Sequence, residues 1–474
     1  MVTAPASLAG RLARAARTDM TGFAAQVRAL CGEDACRPGL YGYRLGGAGG
    51  RRRVHVRLER KGGLLFLNGV EALRLPPVEA PALKLALDDL PPARALATLR
   101  LAFPAQSPAA LEAEYAQAQQ RAARLAGAEP ECWACRLELP QPLPFTLRPT
   151  APYKADVALS YACDNRCAHC YNEPTRRALP PLGLEPGRRV LRKLWEAGVP
   201  YVIFTGGEPT LDPHLVDLVA YAEGLGQIVG LNTNGRSLAR GDLAPRLAQA
   251  GLDHVQVTLL SPDAATHNGM VGAPAWAETV AGIRACLAAG LHTLTNTTLL
   301  EANADQVGDL VEFLYGLGVR TFALNGLIHS GCGRAHSGGL SYDRLALALE
   351  VAQRRAADLE MRLLWYTPTP HCRLSPLELG LGHKCCNAAE YSVCVEPNGD
   401  VLPCQSYYHP AGNLLREPWE RSWESDLFRH LRYRREHPQE TGLPESCADC
   451  ERLTECGGGC MLERLPAQAE VSCP

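Results

Sequence analysis

The sequence predicts an α/β protein: a core in which strands and helices alternate, with a small α+β region before it and a cysteine-rich region after it. Three observations carry this. From Tyr153 onward, short apolar runs and amphipathic stretches alternate at regular spacing, which means parallel strands joined by right-handed crossovers, as an α/β barrel or an open sheet. A chain of 474 residues exceeds one ordinary core, so two or three domains are expected. Of nineteen cysteines, thirteen cluster at 163–170, 372–404 and 447–473, and in a reducing compartment such clusters point to metal or iron–sulfur ligation.

The N-terminal stretch "MVTAPASLAGRLARAARTDM" carries arginines at helical spacing and no hydrophobic block. It reads as a short amphipathic helix and not as a secretory signal, so a cytoplasmic location is expected. No apolar run reaches the roughly 18 to 20 residues of a membrane span. The formal net charge of -2 gives no electrostatic reason to expect nucleic acid or an anionic membrane as partner.

Residues 1–140 form the first region. "VHVRLER", "LLFLN" and "VEALRL", joined by "KGG" and "NG", read as three strands linked by hairpin turns, with "PVEAPALKLALDDL" following. Cys31, Cys36, Cys132 and Cys135 read as reduced structural thiols; a four-thiolate site is the alternative. Residues 141–152 form a linker, because prolines at 140, 142, 144, 149 and 152 deny both helix and sheet interior.

Six strands follow in 153–340: "KADVALSY", "YVIFTG", "IVGLNTNG", "HVQVTLL", "HTLTNTTLL" and "RTFALNGL", with helices such as "EPGRRVLRKLWEAG" and "PHLVDLVAYAEGLG" between them. In such folds the loops after the C-terminal ends of the strands carry the chemistry. The first strand runs into "CDNRCAHC", the second into "TGGEP", the third into "NTNG" and the fourth into "SPDAATHNG". Tight turns alone would explain the glycines, but not three thiols in the same register. Structural metal sites close with four ligands, and no fourth cysteine lies nearby. Cys286 and Cys332 read as buried, unreactive cysteines.

CxxxCxxC after the first strand, GGEP after the second and TNG at the end of the third resemble the radical S-adenosylmethionine (SAM) enzymes over about residues 153–335. The resemblance implies a partial (β/α)6 barrel. It also implies that Cys163, Cys167 and Cys170 hold three irons of a 4Fe–4S cluster whose fourth iron is left for the amino and carboxylate groups of SAM. Reductive cleavage of SAM would give a 5′-deoxyadenosyl radical that abstracts hydrogen from the substrate. Gly206, Gly207 and Glu208 would lie against the methionyl amino group, and Thr233, Asn234 and Ser261 are candidates for the ribose or carboxylate. His169, before the third cysteine, is either packed near adenine or simply exposed. Asp164, His267 and His329 lie near the same rim, and no general base is assigned.

Beyond a bridging region at 341–380, residues 381–474 resemble the SPASM extension of radical SAM enzymes that modify peptides and proteins. Cys386, twelve residues, Gly399, four residues and Cys404 precede Cys447-x2-Cys450-x5-Cys456-x3-Cys460, with Cys473 near the end. The resemblance implies two auxiliary iron–sulfur clusters. One would use Cys386, Cys404 and Cys460 with Cys394 as fourth, the other Cys447, Cys450, Cys456 and Cys473; the spacing does not separate Cys385 from Cys386. A pair of zinc sites is the alternative.

The expected function is therefore a radical SAM enzyme acting on a peptide or protein substrate, served by an electron donor such as flavodoxin or ferredoxin. The first region would then be a winged-helix element that captures a leader peptide, or a hairpin with only a structural role. Two other readings stand beside it: a radical SAM/SPASM enzyme for a small molecule or cofactor precursor such as a tetrapyrrole, and an iron–sulfur electron carrier. A carrier would normally close its cluster with four thiolates.

Overall fold

The computed structural model describes residues 36–464 apart from 48, 49, 70, 128, 129, 131 and 141–144. The expected N-terminal helix, Cys31, Cys473, Pro142 and Pro144 lie outside the described residues. The chain divides into two compact units, Met1–Pro142 and Leu143–Pro474.

In the first unit β1 (Gly39–Gly47), β2 (Gly50–Glu59), β3 (Gly62–Leu67) and β4 (Glu71–Leu75) form an antiparallel sheet in sequence order. The sequence predicts β2 to β4. It hides β1 because "GLYGYRLGG" is too rich in glycine to read as a strand. Three helices, α1 (Glu79–Leu87), α2 (Pro92–Ala102) and α3 (Pro108–Leu125), pack Leu83, Leu99 and Leu111 against Val54, Val56, Leu65 and Leu67 of the sheet. The expectation of four reduced thiols needs correcting. Cys132 and Cys135 are joined in a disulfide with Cα atoms 5.4 Å apart, because the turn starting α4 (Trp133–Leu137) folds the CxxC back on itself. Cys36 is free and half-buried.

The second unit is built on one sheet. Six strands fall where the alternation predicts them: β5 (Lys154–Ala158), β6 (Tyr201–Thr205), β7 (Ile228–Thr233), β8 (His254–Thr258), β9 (His292–Thr298) and β10 (Thr321–Asn325). Each pairs in parallel with the next. The connecting helices follow from the sequence; α5 (Leu184–Glu196), for example, buries Val190, Leu191 and Leu194. The sheet then continues past both ends of the predicted set. β11 (Arg362–Trp365) adds a seventh parallel strand beyond β10, and β12 (Ser392–Val395) adds another beside β5, followed by antiparallel β13 (Asp400–Leu402) and β14 (Gly412–Asn413). The expected bridging region therefore contains a strand, whose four residues between a helix and a run of prolines are too short to show a period. The sheet is open, with β11 and β14 at its edges, so the barrel is partial.

Successive side chains on a strand face opposite ways. Val157, Phe204, Leu231, Val257 and Leu324 pack into the helix-side core. The alternate positions are polar or small: Asp156, Gly230, His254, Gln256 and Asn296. Tyr201 Oη lies 2.8 Å from His254 Nε2. Burial, and then the nearby His292 and Lys154, push the His254 imidazole down to about 4. Near neutral pH the ring is uncharged. The described part of the linker is docked: Arg148 pairs with the buried Glu390 at 2.8 Å, and Tyr391 Oη donates to the Leu147 carbonyl at 2.6 Å. Among the described residues no helix is long and apolar enough to cross a membrane.

His254 sets a pH dependence. Its folded value lies below the ordinary 6.5, so between the two the unfolded chain binds more protons. The stabilisation is complete above about pH 6.5 and is lost as pH falls toward 4, a swing on the order of 3 kcal/mol. Urea midpoints of the apoprotein should fall more steeply over this range for wild type than for His254→Gln; equal slopes would contradict the assignment.

Candidate active site

The loop after β5 is held from two sides. Arg166 N donates to the Val271 carbonyl at 2.8 Å, and Gly333 N donates to the Cys170 carbonyl at 3.1 Å. Cys167 packs against a small core containing Leu260 and Met270. So fixed, Cys163, Cys167 and Cys170 line one cavity of about 160 Å3, together with Gly206, Gly207, Thr233 and Asn234. Burial pushes the Cys163 thiol up to about 11. Burial, then the neighbouring Cys170 and Cys163, raise Cys167, and burial raises Cys170. Left alone, these thiols keep their protons at neutral pH, so they need a soft, positively charged partner to become thiolates.

Among the described residues no three His, Cys, Asp or Glu side chains are gathered tightly enough to close on a single ion. Thiols spread along a cavity wall suit a cluster, where each sulfur binds a different iron, better than a mononuclear site, where all ligands meet at one metal. The donor set therefore fits an iron–sulfur cluster.

The two glycines after β6 are demanded by backbone contact. A Cβ on Gly206, whose φ is +132°, would lie 2.1 Å from the Ser160 carbonyl oxygen, and one on Gly207 would lie 2.3 Å from that of Ala162. Only glycine allows this approach, which is sealed by Gly207 N to Ser160 O and Glu208 N to Ala162 O, both 2.8 Å. Glu208 is fully buried and does not line the cavity. Its Oε1 accepts from Thr210 N at 3.0 Å, Thr210 Oγ1 at 2.6 Å and Thr233 Oγ1 at 2.6 Å, while Oε2 accepts from Asn234 N at 2.7 Å. Burial raises its carboxyl, and the bonds from Asn234, Thr210 and Thr233 oppose that rise. Glu208 thus ties the end of β7 to the loop after β6. Asn234 Nδ2 in turn donates to Asp164 Oδ1 at 2.6 Å, and Arg236 donates to the Asp164 carbonyl at 2.5 Å.

Other predicted residues lie outside the cavity lining. Ser261 is buried, donating to Gln306 Oε1 at 2.6 Å and accepting from Asp263 N at 2.8 Å. His169 is pushed down to about 4 by burial and by His336, whose ring centroid is 6.3 Å away; its Nδ1 is buried without a hydrogen bond. His267 Nδ1 accepts from Leu260 N at 3.2 Å, and His329 is half-buried.

Sequence reasoning missed the rest of the cavity wall. Thr205, Asn232, Gln256, Thr258 and Asn296, from β6 to β9, line it together with Gln405 and Cys332. Asn296 Oδ1 is buried without a partner. The signal was the polar residue at every second position of "HVQVT" and the asparagine within "HTLTNTT", which a core strand has no other reason to carry.

In the C-terminal region burial, then Cys386, push Cys404 up to about 12. Burial, then Cys386 and later Cys404, raise Cys460, so these three thiols share one neighbourhood. Cys394, 1 % exposed, is raised by burial, Asp156, Glu396 and Cys404. Cys385 differs from its neighbour: Arg435 Nη1 lies 3.5 Å and Arg434 Nη2 3.8 Å from its sulfur. Burial, then Cys456 and Cys450, raise Cys447.

Family comparison agrees with this geometry. Residues 157–314 match the radical SAM superfamily and residues 385–451 an iron–sulfur cluster-binding domain, SPASM. A PqqA peptide cyclase of Streptomyces rochei is 30 % identical over 339 residues, covering 68 % of this chain and 88 % of that protein. A pre-heme d1 synthase of Dinoroseobacter shibae is 27 % identical over 336 residues, covering 65 % of this chain and 81 % of that protein. The crystal structure of Streptococcus suis SuiB bound to precursor peptide SuiA matches with a TM-score of 0.61 at 17 % identity, covering 86 % of this chain and 94 % of that one. That is more of this chain than its second unit alone supplies.

Glu208 offers a direct test. Whichever way a glutamine amide turns, its NH2 faces either Thr210 N–H or Asn234 N–H, an unfavourable donor–donor contact costing about 1–3 kcal/mol. Glu208→Gln is expected to keep its iron but to bind SAM at least roughly tenfold more weakly, as measured by calorimetry on the reconstituted protein. Unchanged affinity would mean that the β6–β7 tie does not shape the SAM-facing wall.

Proposed function

Since the chain belongs to the radical SAM superfamily and carries a SPASM domain, we propose that it modifies a peptide by hydrogen abstraction. A 4Fe–4S cluster with SAM and auxiliary iron–sulfur clusters are the cofactors of such an enzyme. When bound, they supply the electron and the SAM-derived radical that take the hydrogen. In this reading Cys163, Cys167 and Cys170 ligate the SAM cluster, and three thiolates leave one iron for SAM. Gly206 and Gly207 present backbone to the methionyl end, while Thr233 and Asn234 meet the ribose or carboxylate. Glu208 and Ser261 act through their neighbours, as positioning residues. Cys386, Cys404 and Cys460, with Cys394 beside them, hold one auxiliary cluster; Cys447, Cys450, Cys456 and Cys473 hold the other.

The observation that carries the peptide reading is the similarity to the peptide cyclase, which extends over both the SAM-binding core and the SPASM region. The cavity wall supports it. Thr205, Asn232, Gln256, Thr258, Asn296 and Gln405 are uncharged donors and acceptors of the kind that hold amides. The four-stranded sheet of the first unit would take a leader peptide as an added strand. Similarity to the pre-heme d1 synthase keeps a tetrapyrrole or other cofactor precursor as the second reading. A flavodoxin or ferredoxin would deliver the electron, and the cytoplasm, with its reduced thiols, is the compartment that suits exposed cysteines such as Cys163 and Cys450.

Anaerobically reconstituted full-length protein with dithionite should convert SAM to 5′-deoxyadenosine, and Cys170→Ala should not. Adding a short peptide encoded beside the gene should raise the rate and leave that peptide changed in mass. Turnover stimulated by a tetrapyrrole precursor and by no peptide would favour the second reading.

A further inference from the structure

The segment that follows Cys170 is held from the C-terminal region as well as from the strand ends. Asn172 lines the cavity, and its Nδ2 donates to the Gly206 carbonyl at 2.9 Å. A carbonyl only accepts, so the amide nitrogen of Asn172 must face Gly206 and the amide oxygen is left for a donor. Tyr408 supplies that donor: its Oη donates to Asn172 Oδ1 at 3.0 Å and reaches the Tyr171 carbonyl at 3.4 Å. Tyr408 lies within the SPASM match, four residues after Cys404. It is buried, packed with Ala158, Tyr161 and Leu402, and Arg176 holds it on two sides. The guanidinium lies 4.7 Å from the Tyr408 ring centroid and donates to the Tyr408 carbonyl at 3.1 Å. Arg176 is in turn anchored on the buried Glu396 at 2.8 Å. Two further bonds join the same segments: Tyr171 Oη donates to Gln405 Oε1 at 3.3 Å, and Ser330 Oγ donates to the Ser406 carbonyl at 2.8 Å.

We propose that Tyr408 is a positioning residue for the SAM site, supplied by the C-terminal region. Its hydroxyl fixes the Asn172 amide, and the amide fixes the Gly206 carbonyl on the wall that meets the methionyl end of SAM. The inference rests on reading Gly206 as part of that wall. A carbonyl oxygen has two lone pairs, so the bond from Asn172 orients the peptide and leaves one lone pair for an ammonium group. Without the Tyr408 hydroxyl the Asn172 amide loses its fixed orientation, and the Gly206 carbonyl loses its support. SAM affinity thus depends on the segment after Cys404 as well as on the core that carries the three thiols.

Calorimetry of SAM binding to the anaerobically reconstituted full-length protein tests this through a double-mutant cycle. Tyr408→Phe keeps the ring and its packing, so it should retain wild-type iron and bind SAM roughly two- to tenfold more weakly, the loss expected of one hydrogen bond. Asn172→Ala should lose at least as much, and the double variant no more than Asn172→Ala alone, because both changes break one chain of bonds. The amount of SAM needed to change the electron paramagnetic resonance spectrum of the reduced cluster should rise by the same factor. Unchanged affinity in Tyr408→Phe beside weakened binding in Asn172→Ala would overturn the role of Tyr408 and leave the reading of Gly206 standing. Losses that multiply in the double variant would also overturn it, as would iron lost from Tyr408→Phe, which would make the residue a support for Cys404 instead. Unchanged affinity in both single variants would remove the reading of Gly206 itself, and this proposal with it.

Discussion

Gly206 and Gly207 lie with their backbone against the carbonyls of Ser160 and Ala162, closer than any Cβ allows, and everything at the active rim depends on that contact. It fixes the end of β6 against the start of the cysteine loop. Glu208, the next residue, carries the link onward to the end of β7 through Thr233 and Asn234. Asn234 returns it to Asp164, one residue from Cys163. Three strand ends and the loop of three thiols are thereby tied together by backbone and side-chain hydrogen bonds. This is what a site dealing with a reactive radical requires, because geometry and exclusion of water are the protein's share of the work.

Burial sets the electrostatics of this site. It raises all three thiols, so they are poor thiolates without a cationic partner and good ligands with one. The same burial keeps His169, His254 and His267 uncharged near neutral pH. The polar wall from β6 to β9 adds no formal charge. The acidic and basic side chains that line the cavity are Glu173 and Arg177, a few residues past Cys170. A neutral chamber suits the abstraction of a hydrogen atom, which moves no net charge.

The parts of this arrangement that a sequence displays are those with a period or a spacing. Strands β5 to β10 show the alternation of a helix-covered parallel sheet, and the thiols of the first loop show theirs in eight consecutive residues. What escaped lacks such a signature. β1 is masked by its glycines, and β11 is too short. The motif gives the position of Glu208 but not the bonds its carboxylate accepts from Thr210, Thr233 and Asn234; a one-dimensional motif does not say which way a side chain turns. Cys385 and Cys386 are neighbours in sequence, and the structure tells them apart by the guanidinium groups of Arg434 and Arg435 beside the first and the thiols of Cys404 and Cys460 beside the second.

The central claim is that three thiolates leave one iron open for SAM. Electron–nuclear double resonance on the reduced, reconstituted protein would test it most directly, using SAM labelled at the amino nitrogen and the carboxylate oxygen. The account predicts hyperfine coupling from both labels to a cluster that disappears in the Cys163→Ala variant. A fully iron-loaded protein whose cluster spectrum shows no coupling to either label would contradict it.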